Sequence, residues 1–226
     1  MRSPVIKRFT LTAAAVLALT LGGQSFAASG FFSDLEGIPA KDKISALQQK
    51  GIVQGVSGSK FLPDGPVTAA QGIQLFVNAL DLNIDLLRFV KEPKATDYFA
   101  NANDAAWYAP ALIIAANNDL GLPADLDPAE NWTREEFTHQ LMLAVEKHSN
   151  LPMIKIMPVE MADGSEFTAG YDGSIQRALV FGIASLDSGG KFHPAQEVTR
   201  AEAAEMVYNA LEYIAAHPAP AEGYPQ

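Results

Sequence analysis

The sequence predicts an all-α protein built from three helix-loop-helix repeats, and three observations carry that expectation. Thr68-Ala-Ala-Gln71, Thr133-Arg-Glu-Glu136 and Thr199-Arg-Ala-Glu202 write one motif three times. A proline stands five residues before each threonine, at Pro63, Pro128 and Pro194. Phe61, Leu126 and Phe192 stand seven before it, and Gly51 and Gly182 seventeen before it. Self-similarity on this scale marks a repeat architecture, in which no unit buries its apolar face alone.

The chain opens with Arg2, Lys7 and Arg8, an apolar stretch from Leu11 to Leu21, and then Ser25-Phe26-Ala27, a small-x-small pattern. Residues 1–27 read as a secretory signal peptide, because the apolar run falls short of the roughly 20 residues that a membrane span needs. Cleavage after Ala27 removes three basic and no acidic residues, so the formal net charge moves from −10 to −13 over the remaining 199 residues. That acidity disfavours nucleic acid and anionic lipid, so neither nucleic acid nor, after signal removal, a membrane is an expected partner. An anionic ligand then needs a local cluster of cations. The absence of cysteine excludes disulfides, lipid-modified cysteine and thiolate metal sites, and leaves packing to hold the fold.

The first unit spans 28–80. Ile44 and Leu47 lie seven and four residues before Gly51, the place for a helix that a glycine ends. After Thr68, Ile73, Phe76 and Leu80 recur at offsets of five, eight and twelve, one stripe of a second helix. Residues 81–94 form a connector. Its Leu82, Ile84, Leu86, Leu87 and Phe89 make it too apolar for a free linker, so an extra helix or a continuation packed on the bundle is expected. The second unit, 95–146, places Ile114 seven before Gly121, and Thr138, Leu141 and Val145 on the stripe. Gly121 stands only twelve before Thr133, so five loop residues are missing relative to the other units. Residues 147–162, with Pro152 and Pro158, form a second connector. The third unit, 163–214, places Ile175 seven before Gly182, and Ala204, Val207 and Leu211 on the stripe. Residues 215–226 are Ala/Pro-rich and are expected to form a disordered tail.

Thr-x-x-Glu before an apolar stripe is a capping box, so Thr68, Gln71, Thr133, Glu136, Thr199 and Glu202 are assigned structural roles as helix caps. Arg134 and Arg200 are not required by capping, and their charge stands at the positive end of a helix. A guanidinium beside free N–H groups at a helix N-terminus suits an oxyanion, which makes these two arginines candidate ligand-binding residues. The competing reading is a surface salt bridge. Ala69 holds the same position in the first unit. Lys60 and Lys191, each one residue before the loop phenylalanine, are further candidates for the same groove. Trp107, Tyr108 and Trp132 offer faces for a sugar ring, although packing explains such aromatics as well. His139, His148, His193 and His217 are scattered without metal-ligand spacing, and neither Gly-x-Ser-x-Gly nor His-Glu-x-x-His occurs. No catalytic residue, metal or cofactor is therefore expected.

These units resemble S-layer homology repeats. Phe181-Gly-Ile-Ala-Ser, Gly190-Lys-Phe-His-Pro194 and Val198-Thr-Arg-Ala-Glu202 carry the signature most fully. Phe32-Ser-Asp34, Gly51-Ile-Val-Gln-Gly55, Phe61-Leu-Pro63 and Val67-Thr68 carry it in the first unit. The second keeps Ala95-Thr-Asp97, Trp107, Gly121, Pro128 and Thr133-Arg134. The resemblance implies a pseudo-threefold helical bundle. Its inter-repeat grooves would bind secondary cell-wall polysaccharide, often bearing pyruvate ketals, with the motif arginine taking part. By position Arg134 and Arg200 inherit that role, while Ala69 departs from it. The expected function is noncovalent attachment of an exported, non-enzymatic module to an anionic glycan of a bacterial cell wall. The alternative is a degenerate scaffold that contacts other envelope proteins, because the sequence shows no second domain to be anchored.

Overall fold

Each Thr-x-x-Gln/Glu box starts a helix by satisfying N–H groups that a helix N-terminus leaves open. The computed structural model describes residues 32–149, 151 and 157–218. The expected signal peptide, Pro152 of the second connector and the chain beyond Pro218 lie outside these residues. The helices are α1 (Lys41–Gln49), α2 (Ala69–Ala79), α3 (Ala109–Asn117), α4 (Arg134–His148), α5 (Asp172–Val180) and α6 (Arg200–Ala216), with a short 3-10 turn at Ala95–Asp97. Among the described residues the backbone otherwise forms loops and isolated bridges, so the fold is all-α. In α2, α4 and α6 the threonine hydroxyl accepts from the third helical N–H, and the Gln71, Glu136 or Glu202 side chain accepts from the threonine N–H. Helix α6 continues to Ala216, two residues into the stretch expected to be tail.

The first helix of each pair ends on one residue in the left-handed region. In α1 and α5 that residue is Gly51 (φ 73°) and Gly182 (φ 68°), as the sequence suggests. In α3 it is Asp119 (φ 56°), not Gly121. The backbone bonds agree: Ile52 to Leu47, Ile183 to Ala178 and Leu120 to Ala115 are the same closing bond in three places. The register of the middle unit therefore shifts by two, and its loop is three residues shorter than the others, not five. The buried counterpart of Ile44 and Ile175 in the middle unit is accordingly Leu112, while Ile114 is only partly buried. Aspartate tolerates this conformation better than most side chains, which hides the position from a search for glycine.

Backbone bonds between units then close a ring. Val67 N–H donates to Val198 O (3.1 Å), Val198 N–H to Trp132 O (3.0 Å) and Trp132 N–H to Val67 O (2.9 Å). All three residues immediately precede a capping threonine. The first helical N–H of α2, α4 and α6 donates to Glu130 O, Gln196 O and Gly65 O, at 2.8, 2.7 and 2.8 Å. The second donates to Pro128 O, Pro194 O and Pro63 O, at 3.0, 3.1 and 2.9 Å. The recurrent proline thus supplies the carbonyl that receives its neighbour's helix. The helices follow the same order, since α2 lies against α3, α4 against α5 and α6 against α1, while α2, α4 and α6 adjoin one another. The stripe residues Ile73, Phe76, Thr138, Leu141, Val145, Ala204 and Val207 are buried in that centre, and Leu80 and Leu211 lie at its edge. Thr138 is polar but satisfied, donating to Arg134 O at 2.7 Å.

Two carboxylates hold the long loops. Asp34 accepts from Phe61 N–H (2.9 Å) and Leu62 N–H (2.9 Å), and Asp163 from Phe192 N–H (2.9 Å) and His193 N–H (2.7 Å). Leu62 and His193 have φ of 58° and 62°, conformations that cost a non-glycine residue free energy and that these bonds help to hold. Burial pushes the Asp163 carboxyl up, but the N–H groups of Phe192 and His193 outweigh it and hold the carboxyl below the ordinary carboxylate range. Asp34 behaves alike, with burial opposed by Phe61 and Leu62. The first connector departs from expectation: 81–94 contains no helix, and Leu86 (95% exposed), Leu87, Phe89 and Val90 face solvent while only Leu82 joins the core edge. Asp81, at φ 51°, turns the chain away from the end of α2 before this segment can continue the helix.

Two outcomes are expected. A Cβ on Gly72 would lie 2.5 Å from Cζ3 of the buried Trp132, so Gly72→Ala should cost about 1–3 kcal/mol despite alanine's better helix propensity. Thermal melting measures this, and an unchanged or raised Tm would refute the close packing. The ionised Asp163 stabilises the fold above the ordinary carboxylate pKa of about 3.9, and that contribution is lost as pH falls through the lower folded value. Asp163→Asn should lower stability at neutral pH by about 1–3 kcal/mol and flatten the fall of Tm below roughly pH 4. A decline as steep as in the parent protein would show that this carboxylate is not a source of acid lability.

Candidate functional site

The second position of each motif points across an interface to the loop of the next unit. Arg200 of α6 lies over the Phe61 ring of the first unit, 4.6 Å from its centroid. Its Nε donates to Phe61 O (2.8 Å) and one terminal nitrogen to Gln54 O (3.0 Å). Arg134 of α4 lies over Phe192 of the third unit at 5.0 Å and donates to Ser185 O (3.0 Å). It also pairs with Glu202 at 2.7 Å, and its side chain is 12% exposed. Both arginines therefore clamp a neighbouring loop by stacking and by carbonyl bonds. The backbone N–H groups beside them are not free, because the first two donate to loop carbonyls and the third to the capping threonine. The helix-terminus part of the oxyanion expectation is thus corrected: the ring between units consumes the donors.

Ala69 makes the equivalent backbone bond to Glu130 at the interface with the middle loop. The missing arginine and the shortened loop, two separate departures in the sequence, belong to one interface. There the loop offers Leu126 where the other two offer phenylalanine, so no aromatic face awaits a guanidinium.

A groove of about 680 Å3 opens between the first unit's loop, α2 and the start of α6, with Trp107 at its rim. Gln54, Gln71, Gln74, Asn78 and Arg200 supply its polar lining. Trp107 is 61% exposed, and its contact with Tyr108 is T-shaped at 80°. Gln74 donates to Asn78 Oδ1 (2.8 Å), and Asn78 donates to Ile52 O (3.2 Å), which fixes both amides. Arg200 forms no ion pair among the described residues. Burial lowers its pKa from the ordinary arginine value, and the Asp34 carboxylate opposes that shift. The groove therefore carries a cation, neutral amides and an exposed indole.

The other candidates separate. Lys60 and Lys191 are exposed on their loops and do not line this groove, so the structure does not bring them to Arg200. Trp132 is buried beside Phe76 and Phe137, a core residue. His139 contacts Ser174 Oγ at 3.0 Å and stacks on Tyr171, His148 meets Asn118 O, His193 meets Asp187, and His217 meets Tyr213 O. Each histidine closes a local contact, and Ser174 is buried. Sequence reasoning missed Gln71, Gln74 and Asn78 as groove residues. Their offsets of three, six and ten after Thr68 mark a face beside the apolar stripe, a signal that was present but needs the neighbouring unit to become a groove wall.

Residues 31–71 and 160–204 match the family model of the S-layer homology domain. Both stretches contain a long loop and a capping motif, and the middle unit lies between them. The chain is 27% identical over 183 residues to Exoglucanase XynX of Acetivibrio thermocellus, covering 80% of this chain and 16% of that protein. It is 26% identical over 183 residues to Amylopullulanase of Thermoanaerobacterium thermosulfurigenes, covering 80% of this chain and 9% of that protein. It is 25% identical over 213 residues to the Surface-layer 125 kDa protein of Lysinibacillus sphaericus, covering 92% of this chain and 17% of that protein. The chain spans less than a fifth of the length of these relatives. The similarity to the S-layer homology domain model is thus confined to two stretches, and one of the relatives is a surface-layer protein.

Proposed function

We propose that this chain is an exported, non-enzymatic module that attaches noncovalently to an anionic secondary cell-wall polysaccharide through a groove between neighbouring units of a pseudo-threefold bundle. The observation that carries this reading is the groove around Arg200, where a guanidinium without an ion pair among the described residues, amides and an exposed indole converge. Those groups complement an acidic sugar. The guanidinium takes a carboxylate, such as that of a pyruvate ketal, through charge-assisted hydrogen bonds. The amides exchange donors and acceptors with hydroxyl groups, and the indole covers the apolar face of a sugar ring. Because Phe61 and two loop carbonyls already hold Arg200 in place, little side-chain freedom is lost on binding. The S-layer homology match and the likeness to a surface-layer protein support a wall location.

Cosedimentation with purified walls tests this reading. The protein should pellet with walls that retain the anionic polymer and stay in solution with walls stripped of it. Arg200→Ala should weaken binding more than tenfold, the loss of a charged hydrogen bond worth about 1.5–3 kcal/mol. Trp107→Ala, a change at an exposed side chain, should weaken it about three- to tenfold with an unchanged Tm, while Ala69→Ser should leave it intact. Equal binding to both wall preparations would sink the proposal. A stoichiometric envelope-protein partner insensitive to Arg200→Ala and Arg134→Ala would favour a protein-binding scaffold instead.

A further inference from the structure

The three interfaces repeat one backbone plan, but their charges differ. At the third unit's interface, Glu202 and Glu205 stand at the places of Gln71 and Gln74, three and six residues after the capping threonine. Asn209 matches Asn78 and makes the same contact, donating to Ile183 O at 3.2 Å as Asn78 does to Ile52 O. There Arg134 is paired with Glu202 at 2.7 Å, and Lys43 of α1 with Glu205 at 2.7 Å. Two cations meet two carboxylates, and the formal charge of that set is zero. In the first unit's groove Arg200 shares the lining with the neutral amides Gln71 and Gln74 at those places, and no carboxylate lines it. In the middle unit's groove, of about 200 Å3, Ala69 replaces the arginine, and Asp125, Asp127, Glu130 and Glu136 line the walls.

We infer that this chain is monovalent: only the Arg200 groove accepts an anionic sugar, and at the third unit's interface the Glu202 carboxylate occupies Arg134 as an internal stand-in for the ligand. This inference rests on the glycan-binding reading above. A ligand carboxylate at Arg134 must displace one that is tethered a few ångströms away at high effective concentration, and must then remain beside it. In the middle groove the like charge of four carboxylates repels an anion with no cation to offset it. Glu202 does not need its charge to cap α6, because the neutral Gln71 performs the same two bonds for α2. The glutamate-for-glutamine difference is therefore free to set valency.

A reciprocal exchange tests this. The probe is a single-repeat anionic oligosaccharide prepared from polymer-bearing walls, titrated by calorimetry into the full chain, with Tm recorded for each variant. The parent protein should bind one oligosaccharide per chain. Gln71→Glu, which keeps the cap as Glu136 and Glu202 do, should lower affinity at least tenfold with little change in Tm. Glu202→Gln/Glu205→Gln should add a second, weaker site that Arg134→Ala removes again. Two or three sites on the parent chain, full affinity in Gln71→Glu, or a single site in a folded Glu202→Gln/Glu205→Gln variant would overturn monovalency while leaving the glycan reading intact. No binding by the parent chain would overturn both.

Discussion

Three hydrogen bonds run head to tail between Val67, Trp132 and Val198, one residue before each capping threonine, and the arrangement of every helix follows from them. Residues 65 positions or more apart in sequence are brought to one point, where each donates to one neighbour and accepts from the other. The next two N–H groups of α2, α4 and α6 extend this junction by donating to loop carbonyls of the adjoining unit. A helix N-terminus must place its open donors somewhere, and here the partner is the next repeat rather than water. Each such bond contributes only about 1 kcal/mol net, but nine of them fix the angle and register at which the units meet.

That junction explains why the motif arginines behave as they do. With the helix N-terminal donors already consumed, a guanidinium at the second motif position can reach outward only over the neighbouring loop. Where the loop presents phenylalanine and free carbonyls, Arg134 and Arg200 dock on it. Where the loop is short and carries Leu126, alanine takes the position. The interfaces thus divide into two clamped by arginine and one closed by packing, and of the two arginines only Arg134 forms an ion pair among the described residues. Stability and recognition draw on the same guanidinium, because the contacts that hold it also aim it.

The aspartates at the start of the outer units show how distant residues support this arrangement. Asp34 and Asp163 bind the N–H groups of the residues that follow, and include, the loop phenylalanines, across 27 to 30 positions of sequence. They keep Phe61 and Phe192 beneath the arginines while Leu62 and His193 turn through the left-handed region. The exposed apolar connector at Leu86–Val90 lies outside this economy of contacts and takes no part in the grooves.

The sequence by itself determined the helix pairs, the caps and the buried stripe, because these depend on local bonds and on a period that a linear pattern records. It also marked Arg200 as a residue that capping does not require. It misplaced the end of α3, because Asp119 adopts a conformation normally signalled by glycine, and it overestimated the packing of 81–94, because apolar content says nothing of where a chain turns. Only the tertiary structure decided which arginine is ion-paired. Arg134 and Arg200 occupy the same motif position, and their difference lies in Glu202 and Gln71, each a residue of a neighbouring unit that joins its arginine's interface only when the ring of helices closes.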